Sequence, residues 1–252
     1  MGAGGLLTMA KNTGVIQLQG NLGNLNFTKG GQVRQKPASR PVTAERTLEN
    51  NSEFSTQAKA TSLIGDAFRS CIANAKSGDW HNRLSKVSRE VMKLDLTNPR
   101  GQRGIIDDET SLYQGFDFNG NAPIGRVIYA QIATNLDRAT GVCQAIVPAL
   151  TPAVSIAAPQ GATHLRYIAC SAEVDFENGT LNAKDAASAF VALNNLPQVA
   201  LTLELGVAQN AAKPIFIGVG LEFYQEVNGQ KYLLQNGQFN PFQIVTVDTG
   251  VV

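Results

Sequence analysis

LEFYQEVNGQKYLLQ, residues 221–235, alternates apolar and polar side chains on either side of an Asn-Gly pair. A two-residue type I′ turn needs positive φ at both central positions, which Asn and Gly adopt at low cost, so the stretch reads as a tight β-hairpin. EVDFENGTLNA, residues 173–183, repeats the pattern around Asn178-Gly179. Further strand-like runs lie at LYQGFDFN, GRVIYAQI, VCQAIVPA, HLRYIACSAEVDF, QVALTLEL and FQIVTVD. Seven or eight short antiparallel strands within residues 105–252 predict a β-sandwich, immunoglobulin-like or jelly-roll-like. LNAKDAASAFVALNN, residues 181–195, interrupts that texture and reads as one crossover helix.

Working toward the N-terminus, the period changes from two to about 3.6 between Pro41 and Pro99. Thr43 is placed as an N-cap, and Phe54, Ala58, Thr61, Ile64, Phe68, Cys71 or Ile72, and Ala75 recur every three or four residues, which predicts one long amphipathic helix. Ser77-Gly78 ends it. Asp79 then caps a second helix bearing Trp80, Leu84, Val87, Val91 and Leu94, and the two should pack as an antiparallel hairpin. TNPRGQRG, residues 97–104, is polar and basic and reads as a linker.

The first 37 residues have a third texture. In GVIQLQGNLGNLNFTKGGQVRQKP, residues 14–37, apolar residues alternate at Ile16 and Leu18, slip phase across Gly20 to Asn24, and resume at Leu25 and Phe27. Such a slip marks a turn or bulge, and the Lys29–Gly31 stretch supplies another before a basic strand that Pro37 ends. The expected organisation is therefore an α+β chain: an N-terminal arm and β-meander over 1–37, a helical hairpin with basic linker over 38–104, and an antiparallel sandwich over 105–252.

The glycines of the opening stretch invite a phosphate-binding reading, but GNLGNL runs into another strand and GVGLEF, residues 218–223, lies inside one. Neither opens a helix, whose N-terminus a phosphate cradle requires. His81 and His164 stand far from one another and from Cys71, Cys143 and Cys170, so no spacing suits a metal or a nucleophile–base pair. The Asp107–Glu109 acids fit the first turn of a short helix, and Glu173, Asp175 and Glu177 fit one solvated face of a strand. No enzyme activity, cofactor or metal is expected. The odd, scattered cysteines read as buried and reduced.

Charged residues make up only 16% of the chain and the formal net charge is +1. That small net value hides a division, since residues 1–104 hold 15 Lys/Arg against 7 Asp/Glu while residues 105–252 hold 6 against 13. Lys29, Arg34, Lys36, Arg40 and Arg46, followed by Arg83, Lys86, Arg89 and Lys93 on the second helix, form a basic surface that nucleic acid could use. No aromatic stacking platform accompanies it, because Phe54, Phe68 and Trp80 belong to the apolar stripes. There is no run of apolar residues long enough to span a bilayer, and MGAGGLLTMAKN lacks the basic and apolar regions of a standard signal peptide. Cytoplasmic synthesis is expected, with the final location open, and Met9 looks a more natural start than Met1.

AKNTGVIQLQGNLGNLNFTKGGQVRQKP, with TAERTLENNSEF, NPRGQRGIIDDE and GFDFN downstream, resembles a set of uncharacterised proteins of Bacteroidota genomes. The resemblance covers about residues 9–120 and implies a glycine-punctuated opening hairpin, a basic strand, a helix and a β-rich remainder, but no activity. The expectation is a non-enzymatic structural subunit that assembles with itself into a filament, tube or phage-like particle. Val15, Ile16, Leu18, Leu25, Phe27 and Val33 would be its adhesive N-terminal strand residues, with FQIVTVDTGVV as a second adhesive strand. The alternative expectation is a nucleic-acid-binding accessory protein that uses the basic N-terminal half.

Overall fold

The structure, a computed structural model, describes residues 10–11, 18–35, 44–234 and 238–250. It is a mixed α+β protein whose chain forms two compact units, residues 1–47 and 48–252.

The first unit contains a small antiparallel sheet. Its strands are β1 (Ala10–Lys11), β2 (Gly20–Leu22), β3 (Leu25–Phe27) and β4 (Gln32–Gln35), in the order β1-β4-β3-β2. The phase slip read from the sequence resolves into a two-residue turn. Leu22 pairs with Leu25, and Gly23 takes φ +56° as the first central residue, the position where a type II′ turn requires glycine.

Helices follow, the first of them beginning just before the boundary at Leu48. α1 (Glu45–Ala67) is followed after Phe68 by the single turn α2 (Arg69–Ile72), and α3 (Trp80–Lys93) runs back along α1. The expected N-cap, Thr43, lies outside the described residues. Of the expected stripe, Thr61, Ile64, Phe68, Cys71, Ile72 and Ala75 are buried, whereas Phe54 is 67% exposed. The early turns of α1 are anchored by charge instead: Glu49 pairs with Arg100 at 3.5 Å and Glu53 with Arg103 at 3.0 Å. Residues 97–104 are therefore a tied loop. Asp95 fixes its shape by accepting hydrogen bonds from the main-chain N–H groups of Thr97, Asn98 and Gly104. Between α1 and α3 the seam is partly polar, because the Gln57 amide donates to the Ser85 carbonyl at 2.6 Å and the Thr61 and Ser88 hydroxyls meet at 3.0 Å. The DDE acids open a 3-10 helix, Asp107–Tyr113, as the dipole argument anticipates.

Two antiparallel sheets complete the unit. The smaller joins β5 (Ala133–Asp137), β6 (Val142–Val147) and β10 (Leu201–Glu204) in the order β10-β6-β5. The larger is built on two long partners, β7 (His164–Asp175) and β11 (Ile215–Val227), in register from Ile215 opposite Glu173 to Tyr224 opposite His164. β8 (Thr180–Ala187) and β9 (Val191–Ala192) flank β7, while β12 (Gln230–Leu233) and β13 (Phe242–Asp248) share the far side of β11. The larger sheet curls, and a hydroxyl contact at 2.7 Å between Thr134 of β5 and Thr246 of β13 links it to the smaller one.

Strand alternation sorts the core into two parts. Ile215, Ile217, Val219, Leu221 and Phe223 meet Cys143, Ala145, Val147 and Leu203 of the smaller sheet. Phe216 faces the other way, toward Ile64, Phe68 and Ile72 of the helices and Phe242 and Ile244 of β13. With both faces covered, β7 and β11 read as continuous apolar runs rather than alternating ones. Gly218 and Gly220 are a packing device rather than turn residues. A Cβ on Gly218 would lie 2.6 Å from Phe242 Cζ, and one on Gly220 2.7 Å from Phe242 Cδ2. The glycines let the Phe242 ring lie flat against the strand.

Further expectations change. Residues 181–195 form no crossover helix, because the chain turns at Asn178-Gly179 and pairs straight back on β7 over eight residues, from Asp175 opposite Thr180 to Ile168 opposite Ala187. Ladder pairing overrides the helix-favouring alanines there. The turn itself is not type I′: Gly179 alone has positive φ, and the Asp175 carboxylate accepts from the N–H groups of Glu177 and Asn178. The Asn228-Gly229 turn, by contrast, has φ of 52° and 78° at its two residues, as its sequence requires. The other change concerns FQIVTVD, which is no free adhesive strand: Phe242–Asp248 pairs with β11 inside its own sheet.

Candidate assembly surface

The N-terminal sheet separates its side chains by face. Leu22 lies opposite Leu25, Phe27 lies opposite Val33, and strand alternation places Leu25 and Phe27 on one side. The reverse side carries Asn21, Asn26 and Arg34, with the Asn26 amide donating to Asn21 Oδ1 at 2.7 Å. Amphipathic sheets of this kind ordinarily turn the apolar face toward a core. On this face Leu22 is 66% and Leu25 42% exposed while Phe27 and Val33 are half-buried, Leu18 just ahead of β2 is 49% exposed, and no residue from 18 to 35 is fully buried.

β2 also ends the sheet, so its outer row of main-chain groups is unpaired by any other described strand. Proteins guard such edges with charge, proline or bulges. The eight-residue edge strand β8 carries Lys184 and Asp185 at its middle, whereas the three-residue Gly20-Asn21-Leu22 has no charge and no proline. An unguarded edge beside an open apolar face is a template for pairing with another chain.

Of the residues expected to form the adhesive strand, Leu25, Phe27 and Val33 share the apolar face and Leu18 is exposed beside it; Val15 and Ile16 lie outside the described residues. Of the expected basic surface, Lys29, Arg34 and Arg46 are exposed, and Lys36 and Arg40 lie outside the described residues. Arg83 does not belong to an open basic face. Its guanidinium donates to the Asp117 and Phe118 carbonyls at 2.7 and 3.0 Å and pairs with Asp79 at 3.1 Å, which ties α3 to the segment before β5. Lys93 pairs with Glu90 on its own helix, which leaves Lys86 and Arg89 exposed.

The remaining candidates have structural settings. His81 is exposed and meets the Trp80 ring edge-on, while His164 lies 3.4 Å from Glu226. All three cysteines are free and buried; contact with Cys71 and then burial push the Cys170 thiol up, and burial pushes Cys143 up to about 11. Glu222, almost wholly buried, was not legible as a site in the sequence. Burial raises its carboxyl, but hydrogen bonds from Asn74, Tyr224 and Arg166 outweigh that and hold it below the usual range. Asn74 follows α2, Arg166 lies on β7 and Tyr224 on β11 with Glu222 itself, so the carboxylate pins the end of the helical layer to the sheet. Among the described residues, no cluster of His, Cys, Asp and Glu is arranged to hold a metal ion, and no helix is long and apolar enough to cross a membrane.

A groove of about 810 Å³ opens between α1, residues 104–108 and the β7–β8 turn. Ala60, Leu63, Ile105, Ile106 and Phe176 give it apolar walls. The acids read as solvated strand and helix positions converge here on one ammonium: Lys213 Nζ lies 3.5 Å from Asp107, 3.6 Å from Asp175 and 3.7 Å from Glu177. Burial, and then the Asp175 and Asp108 charges, raise the Asp107 pKa despite the Lys213 ammonium. No family model, curated protein or solved structure matches the chain.

Proposed function

We propose that the protein is a non-enzymatic structural subunit that assembles with copies of itself, through its N-terminal strands, into a filament, tube or phage-like particle. The observation that carries this reading is the N-terminal sheet, which has an apolar face, an unguarded edge and no buried residue among those described. A small sheet of this kind depends on a hydrophobic face for stability, and that face contributes only where something removes it from water. A neighbouring copy supplies the cover in this reading, and the facing sheets of residues 105–252 act as an immunoglobulin-like or jelly-roll-like sandwich that carries the arm.

Charge supports the same conclusion. Residues 1–44 hold five Lys/Arg and no Asp or Glu, while residues 45–252 hold 16 against 20. Opposed charge on two parts of one chain favours head-to-tail contact, the heterologous kind that propagates. Light scattering and electron microscopy on the full chain and on a chain lacking residues 1–37 test the reading. Concentration-dependent large species from the full chain alone support it, and a strictly monomeric full chain sinks it.

A further inference from the structure

The assembly reading leaves open which part of a neighbour receives the cationic arm. We propose that the groove between α1, residues 104–108 and the β7–β8 turn is that receptor, and that it takes the lysine- and arginine-bearing segment around Lys29 and Arg34 of a second copy. This inference rests on the assembly reading and adds the receiving surface to it.

The groove has the two features that a long cationic side chain requires. Lys and Arg lay their methylene stems along apolar surface and keep the charged head among polar partners. Ala60, Leu63, Ile105, Ile106 and Phe176 provide the apolar part, and Asp108 and Glu177 stand at the rim with solvent-exposed carboxylates. The resident ammonium does not neutralise the site. Lys213 faces the three carboxylates of Asp107, Asp175 and Glu177, Asp108 adds a fourth, and Lys59 is the other cation of the lining.

The same chain contains a segment with the complementary composition. From Leu18 to Ala44 there are four Lys/Arg and no acid, so nothing within the segment can neutralise it. Lys29 sits at the β3–β4 turn and Arg34 on the polar face of the sheet; both are exposed, and among the described residues the Arg34 guanidinium donates only to the neutral Gln32 side chain, at 2.6 Å. Each copy then offers one arm and one groove. A contact that uses one of each leaves a free arm at one end and a free groove at the other, so growth continues.

The test uses two full-length variants. In the first the groove is reversed, Asp108→Lys with Glu177→Lys; in the second the arm is reversed, Lys29→Glu with Arg34→Glu. These positions are exposed and outside both cores, and equal thermal unfolding midpoints to wild type would show that the fold is kept. Sedimentation velocity at low salt should show each variant alone associating at least about tenfold more weakly than wild type. Mixing the two should restore association, because the intact arm of one meets the intact groove of the other, and added salt should weaken it. A groove-reversed variant that associates as wild type overturns the groove as receptor while leaving the assembly reading standing. A mixture that stays monomeric overturns docking between copies. A wild-type chain that is monomeric at every concentration overturns both readings.

Discussion

Replacing Leu22 by Asn removes an apolar side chain from the open face of the N-terminal sheet while keeping the strand's main-chain groups. Leu22 is 66% exposed, and fully burying a leucine contributes about 1.5–3 kcal/mol, so covering the exposed two-thirds contributes about 1–2 kcal/mol per contact. At 1.4 kcal/mol per tenfold, that is a weakening of about 5- to 30-fold in association. Sedimentation velocity over a concentration series reads it as a rise in the concentration at which large species appear. Leu96, at 92% exposure, is the control, because it projects from the tied loop after α3 and not from the sheet. Leu96→Asn should leave association unchanged. An unchanged concentration dependence for Leu22→Asn, or an equal loss for Leu96→Asn, would refute the argument, since general stickiness rather than this face would then drive association.

Other perturbations test the framework that carries the arm. Gly220→Ala puts a methyl group 2.7 Å from Phe242 Cδ2 and against the Pro241 carbonyl, and the backbone there cannot retreat; urea unfolding should show a loss of about 1–3 kcal/mol, and an unaltered midpoint would contradict the packing described. Phe242→Ala empties the site between Phe68 and Phe118, whose ring centroids lie 5.6 and 5.7 Å from it, and should lower stability by about 3–5 kcal/mol in the same assay. The Asp95 carboxyl is held at about 2 because hydrogen bonds from Gly104, Asn98 and Thr97 outweigh burial. Its folded pKa lies below its unfolded one, so its contribution of about 2 kcal/mol is present above pH 4 and lost as the pH falls through about 2. Asp95→Asn should lack that part of the acid-induced loss, and an identical pH profile for the two proteins between pH 4 and 2 would count against the role.

The parts of the fold that depend on local chemistry were legible in the sequence. Asn228-Gly229 demanded a type I′ hairpin and formed one, and the phase slip at Gly20 to Asn24 marked a real reversal. What could not be read was set by partners distant in the chain. The helix-like alanines of β8 adopt a strand because β7 offers them a ladder, and the helical stripe ends short of Phe54 because that end of α1 meets Arg100 and Arg103 instead of the sheet. The glycines of GVG are explained only by a ring from Phe242. At the candidate surface, alternation disclosed the apolar set Leu25, Phe27 and Val33, but its exposure is a tertiary fact. The groove was invisible because its acids come from positions as far apart as Asp107 and Glu177, each with an ordinary local explanation.

The most direct test of assembly through the N-terminal strands is hydrogen–deuterium exchange, read by mass spectrometry on the peptide spanning Leu18 to Gly23, in concentrated and dilute solutions of the full chain. Asn21 lies in the pair next to the turn pair Leu22–Leu25, so in an antiparallel ladder its main-chain N–H points away from β3 toward the open edge. Edge pairing between copies predicts slowed exchange in this peptide at high concentration, while peptides of β7 and β11 stay as protected as in dilute solution. Equal and fast exchange of the Leu18–Gly23 peptide in both solutions, with large species present in the concentrated one, would contradict the account.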